Sequence, residues 1–185
     1  MLKQSGFSLV ELTTTLAIIG IISAALMAVM TNLNTQSQRM NMQTELLVGG
    51  KQLFEMVEPW AALAGHNEAN PNLPENKAYQ IVSSSHVQFC YDLDGASRQQ
   101  REFRLRDRRL QERIENNFGC TVAPNENGWV DVSAPIIRSL TFSDSDGSDY
   151  SLDMRLELEK IVPGTDETTG AVLRRRFNMF AMTVY

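Results

Sequence analysis

The sequence predicts an α+β fold in which a long amino-terminal helix, transmembrane in its first half and amphipathic in its second, packs on an antiparallel β-sheet globular domain. Three observations carry this. Residues 7–30 are apolar apart from a single charged side chain, Glu11; the apolar residues from 33 to 60 recur with a helical period; and beyond residue 78 the period becomes two. At 185 residues the chain has room for one long helix and one globular domain large enough to bury a core. The mean hydropathy is slightly negative, −0.23, although the first thirty residues are strongly apolar, so the remainder is polar enough to be a water-soluble domain.

The first element is a short polar leader, MLKQSG, at residues 1–6. A secretory signal places its small residue after the apolar core. Here Gly6 precedes it, so a cut between Gly6 and Phe7 leaves the apolar segment on the mature chain. From Leu12 to Met30 no residue is charged. That stretch makes about 28 Å of helix, close to a hydrocarbon thickness of about 30 Å. Residues 7–30 therefore read as a single membrane-spanning helix and residues 31–58 as its amphipathic continuation.

Glu11 lies one helical turn from Phe7, at a depth where an unpaired acid is costly. The free α-amino group that cleavage creates on Phe7 is a partner for it, in the same chain or in a neighbour shifted along a helical stack. Pairing between neighbours sets axial register, because an unpaired carboxylate in lipid costs several kcal/mol and a paired one much less.

The run GFSLVEL followed by about twenty apolar residues resembles the prepilin signal of type IV pilins and type II secretion pseudopilins. The resemblance implies that a prepilin peptidase cleaves between Gly6 and Phe7, that Phe7 is N-methylated, and that Glu11 acts in assembly. It further implies a pilin-like fold, a bacterial inner-membrane location with the globular domain in the periplasm, and partners among major and minor pilins or pseudopilins and the inner-membrane assembly machinery. A plain signal anchor explains neither the Gly6-Phe7 junction nor Glu11.

Over the amphipathic half, Leu33, Met40, Leu47 and Phe54 recur every seven residues, joined by Leu46, Leu53, Val57 and Trp60. Asn34, Gln36, Gln38, Arg39, Gln43, Glu45, Gln52 and Glu55 lie opposite. Gly49 and Gly50 mark a bend or a close backbone approach, and Pro59 is expected to end the helix. Residues 59–185 form the globular domain. It opens with an Asn- and Pro-rich surface loop over 64–77.

Strands follow. AYQIV and HVQFCYDLDG are β candidates. FRLRDRRLQERI reads as a tight hairpin with Phe103, Leu105, Leu110 and Ile114 inward and Arg104, Arg106, Arg109 and Arg113 outward. In residues 136–162, Leu140 and Phe142 lead to a turn at Asp144 to Asp149. Beyond it Tyr150, Leu152, Met154, Leu156 and Leu158 alternate with Ser151, Asp153, Arg155, Glu157 and Glu159. The closing AVLRRRFNMFAMTVY is apolar on both faces past Arg176, which places it in the middle of a sheet or between layers. The order of these elements, with Phe89 to Gly95, Phe103 to Leu105 and Ile137 to Phe142, resembles the minor pilins of the PilW type and the minor pseudopilin J of type II secretion. That resemblance implies a subunit of a priming or tip complex. Major pilins often carry a disulfide near the carboxyl end, whereas Cys120 stands 65 residues from Tyr185.

Other chemistry is thinly represented. In an oxidising periplasm Cys90 and Cys120 can form one disulfide, contributing about 3 to 4 kcal/mol in the chain-entropy model; two buried thiols are the alternative. The turn bearing Asp144, Asp146 and Asp149 has oxygen ligands at a spacing that can hold Ca²⁺. It lacks the bidentate Glu of an EF-hand, its twelfth position being Arg155, so a solvated turn is the preferred reading. The same preference holds for Asp92 to Gly95. His66 and His86 have no ligand-spaced cysteine or carboxylate, so no metal and no cofactor is expected. The net charge of −5, more negative once Lys3 leaves, argues against nonspecific nucleic-acid binding. The seven arginines from Arg98 to Arg113 alternate with Glu102, Asp107, Glu112 and Glu115, and no aromatic is expected on their side. They read as a solvated hairpin face, with partner docking and DNA contact as alternatives, and Arg174, Arg175 and Arg176 read likewise. No nucleophile elbow, zinc-protease helix or phosphate loop is present, so no catalysis is expected. The rival functions are a type II secretion pseudopilin and a membrane-anchored adhesin.

Overall fold

A computed structural model describes residues 8–65, 79–92, 98–116, 126–144 and 151–179. One helix, α1 (Leu9–Leu63), is followed by β1 (Tyr79–Ser83), β2 (His86–Asp92), β3 (Arg98–Arg106), β4 (Arg109–Asn116), β5 (Val130–Asp131), β6 (Ile137–Asp144), β7 (Ser151–Ile161) and β8 (Thr168–Asn178). The architecture is α+β, as expected. The chain divides into two units between Asn41 and Met42.

In the first unit every described side chain from Ser8 to Met30 is exposed. This part of α1 is long and apolar enough to cross a membrane. The threonines that interrupt the apolar run satisfy themselves locally: Thr13 donates to the Val10 carbonyl at 3.0 Å, and Thr15 to that of Glu11 at 2.7 Å. Such back-bonding lets a hydroxyl sit in an apolar segment without an unpaired donor.

The second unit holds the core. Strands β1 to β5 form a five-stranded meander and β6 to β8 a three-stranded one, both antiparallel. Met42, Leu46, Gly50, Leu53, Phe54, Val57 and Ala61 are the buried face of α1. Most join one cluster with Val87, Phe89, Phe103 and Leu110 of the first sheet and Ile137, Phe142, Leu152, Met154, Leu156 and Phe177 of the second. The inward face is thus offset from the seven-residue series. Phe54 is buried, whereas Leu33, Met40 and Leu47 are 59%, 67% and 49% exposed. Leu33 and Met40 precede Met42, in the unit where every described side chain but the half-buried Thr35 is exposed, and Leu47 lies about 100° around the helix from the buried Leu46.

Gly50 explains why glycine stands on that face. A Cβ there meets Leu158 Cδ1 and Leu173 Cδ1 at 2.9 Å each. Gly50→Ala is therefore expected to be close to neutral, the helix-propensity gain of up to about 1 kcal/mol offsetting small leucine shifts. Gly50→Ile is expected to cost about 1–3 kcal/mol by overpacking. Denaturant midpoints check both, and an unchanged Gly50→Ile midpoint would show that the contact is not tight.

Pro59 does not end the helix, which continues to Leu63. Packing after the proline outweighs its cost of about 3 kcal/mol. Ala61 and Ala64 are fully buried, and the Trp60 ring stacks on Tyr91 at 5.7 Å with the Arg101 guanidinium 3.4 Å from its centroid. Termination falls to Gly65, at φ +82°, whose N–H donates to the Cys90 carbonyl at 2.9 Å.

The β3–β4 hairpin turns on Asp107 and Arg108, both at positive φ, so its two-residue turn matches the strand twist. Phe103 and Leu110 are buried and Leu105 half-buried as expected, but Ile114 is exposed. The expected β6–β7 hairpin forms, with Leu152, Met154, Leu156 and Leu158 inward; its turn and Tyr150 lie outside the described residues. The closing strand departs from expectation. β8 pairs only with β7 and β7 takes the centre, so β8 is an edge strand among the described residues. Within Thr168–Asn178 the even-numbered residues are exposed, and only the odd-numbered ones turn inward. The two-sided apolar stretch beyond Met179 lies outside the described residues.

Candidate functional site at the amino-terminal helix

Gly6 and Phe7 lie outside the described residues. The structure resumes at Ser8, which caps α1. Its hydroxyl accepts from Val10 N–H at 3.4 Å and its carbonyl from Leu12 N–H at 3.1 Å. Ser8 N–H in turn donates to Glu11 Oε2 at 3.1 Å. Ser8 and Glu11 thus form the reciprocal capping box of a Ser-x-x-Glu start. The local signal for it is the Ser-x-x-Glu spacing in FSLVEL. The carboxylate is held one turn into the helix, near the positive end of the helix dipole, and aimed back at the Phe7–Ser8 amide. It has a local donor, therefore, before any neighbour supplies one.

The other sequence candidates fall elsewhere. Cys90 is half-buried on β2, with Gln88 Nε2 3.6 Å from its sulfur; Cys120 lies outside the described residues. Asp144 ends β6 and accepts a hydrogen bond from the Tyr79 hydroxyl, which also donates to the Ser151 carbonyl at 2.9 Å. Asp146 and Asp149 lie outside the described residues, as do His66 and residues 93–97. Among the described residues no cluster of His, Cys, Asp or Glu fits a metal ion.

The arginine hairpin corrects its expected reading. Arg113 is on the outer face of the first sheet but buried, because Trp129, just before β5, folds over that face. The Arg104 and Arg113 guanidiniums sit 3.9 and 4.7 Å from the Trp129 ring centroid, and His86 meets the ring edge-on at 5.4 Å. Beneath lies Glu102, fully buried. It accepts from Arg113 at 2.6 Å and from Gln100, and stands 2.7 Å from His86 Nε2. Burial pushes the Glu102 carboxyl up, but the hydrogen bonds of His86, Arg113 and Gln100 with the Arg113 charge outweigh it and hold the group below its ordinary value. His86 therefore does have a carboxylate neighbour, contributed by the adjacent strand rather than by sequence spacing. Arg101 faces the opposite way, onto Trp60, and pairs with Glu112 at 2.8 Å.

Arginines nearer the rim of this face meet acids as well. Arg104 and Arg106 reach Glu126 at 2.6 and 3.0 Å, and Arg109 reaches Asp131 at 2.8 Å. Hydrogen bonding by Arg104 holds Glu126 below its usual value, and hydrogen bonding by Gln111 and Arg109 does so for Asp131. Of the carboxyl-terminal triplet, Arg175 reaches back to Glu58 on α1 at 2.6 Å and Arg176 pairs with Asp153 at 3.0 Å.

Residues 1–27 match the family described as a prokaryotic N-terminal methylation motif. No curated protein and no solved structure matches the chain. Residues 1–27 thus carry a prepilin-type methylation motif that runs into an apolar helix long enough to cross a membrane, the kind of start found on type IV pilin-like and pseudopilin precursors.

Proposed function

We propose that this chain is a minor pilin-like structural subunit, cleaved between Gly6 and Phe7, N-methylated on Phe7, and built into a type IV pilus through a priming or tip complex. The observation that carries the reading is the methylation motif at residues 1–27 on a helix whose side chains are all exposed from Ser8 to Met30. So long an apolar surface needs lipid around it, and later sister helices. Glu11 then exchanges its local donor, the Ser8 amide, for the charged amine of a neighbouring subunit. The globular domain binds and shapes contacts and performs no catalysis. A minor pseudopilin of a type II secretion system shares every one of these features. Deletion separates the two by abolishing either surface fibres or exoprotein release.

Processing tests the first step. Gly6→Leu is expected to abolish cleavage, so that only full-length precursor accumulates on a gel. A mature-length product from that variant would refute the cleavage site.

A further inference from the structure

We infer that the free edge of β8 takes up an acidic, extended segment of a different protein as an added strand. The four sheet edges are treated unequally. β1 is five residues long and its pairing is irregular between Ile81 and Ser83; β5 has two residues. β6 is capped from the first sheet, Phe142 N–H donating to the Ser84 carbonyl at 2.8 Å and Ile137 N–H to that of Arg108 at 3.0 Å. Among the described residues β8 has no such protection. It runs eleven residues in unbroken register with β7, and among the described residues no strand or turn bonds to its other side. Long, flat, uncovered edges template strand addition, and proteins that do not use them blunt them.

The side chains on this edge select the occupant. Arg175 and Phe177 turn inward, the first to Glu58 and the second edge-on to Phe54. The outward row holds Val172, 59% exposed, Arg174 and Arg176. Arg176 is taken by Asp153, but Arg174 stands opposite Arg155 and has no acidic partner among the described residues. Arg155 is itself met by Glu157 at 2.6 Å, so the charge that a carboxylate on an added strand would answer is that of Arg174. A second copy of this chain fits badly, because antiparallel self-pairing centred on Leu173 makes the two Arg174 side chains diagonal neighbours, and β8 holds no acid to answer either. The occupant is thus a heterologous segment with an aliphatic residue near Val172 and an acid near Arg174. This goes beyond the filament reading and does not depend on which secretion or pilus system owns the chain.

The test uses the full-length protein in detergent micelles and two fluorescent peptides of alternating Val or Thr with Asp or Glu, or with Lys in place of each acid. The acidic peptide is expected to bind, to slow hydrogen exchange of β8 amides, and to lose affinity at least tenfold in Arg174→Glu, to which the basic peptide then binds better. Arg174 and Val172 are exposed, so unchanged exchange in β2 and β3 verifies folding of the variants. Absence of β8 protection by either peptide, equal binding to native and Arg174→Glu protein, or a dimer of the chain alone that Val172→Lys abolishes would each overturn the proposal.

Discussion

Glu11→Gln is expected to be cleaved to the same mature length as the native chain and then to enter filaments at about one tenth of the native level or less. Glutamine at this helical position can still accept from Ser8 N–H, so the capping box survives. What disappears is the charge. A neutral amide loses little by remaining in lipid, and nothing then favours placing it beside a neighbour's amine; tenfold corresponds to only about 1.4 kcal/mol of that preference. Glu11→Ala removes cap and charge together and adds a helix-start cost of roughly 1 kcal/mol. Immunoblots of sheared filaments against membrane fractions read the outcome. If Glu11→Gln assembles normally while Glu11→Ala does not, the acid serves only as a cap and the pairing role is wrong.

The second large effect lies in the globular domain. Glu102→Ala should destabilise it by about 3–5 kcal/mol, because the buried Arg113 loses its 2.6 Å bond to Glu102 and keeps only the longer contact to Glu115, 3.5 Å. For a domain of this size that lowers Tm by on the order of 10 °C. Replacing the pair together, Glu102→Met with Arg113→Leu, should recover most of the loss, since the desolvation of both ions is then avoided. The native pair also carries a pH signature. Glu102 titrates lower in the fold than in the unfolded chain, so its stabilisation is full above the unfolded carboxylate value of about 4.3 and is lost as pH falls through the depressed folded value. Unfolding curves for native protein and Glu102→Gln should therefore stay apart down to about pH 4.3 and converge only as pH falls below it. A cost under 1 kcal/mol for Glu102→Ala would show that Arg113 finds another anion.

Much of this arrangement was readable residue by residue. The prepilin-type start, the apolar helix and the hairpin built from Leu152, Met154, Leu156 and Leu158 are local patterns, each set by spacing along the chain. Apart from the Ser8–Glu11 capping box, which is a local pattern, the failures are non-local. Arg113 reads as solvated because nothing near it in sequence shows that Trp129 will cover it, or that Glu102 and His86 on two further strands will meet beneath. Pro59 reads as a helix stop because its local cost is visible while the anchoring of Trp60 on Tyr91 and Arg101 is not. The place of β8 at an edge depends on strand order, and alternation cannot reveal order.

The central claim is that the mature subunit begins at Phe7 with a methylated amine facing the Glu11 charge. Intact-mass analysis of the protein extracted from producing cells tests it most directly. The expected mass is that of a chain lacking residues 1–6 and carrying one added methyl group, on Phe7; a chain that retains Met1 through Gly6 would be the opposite result.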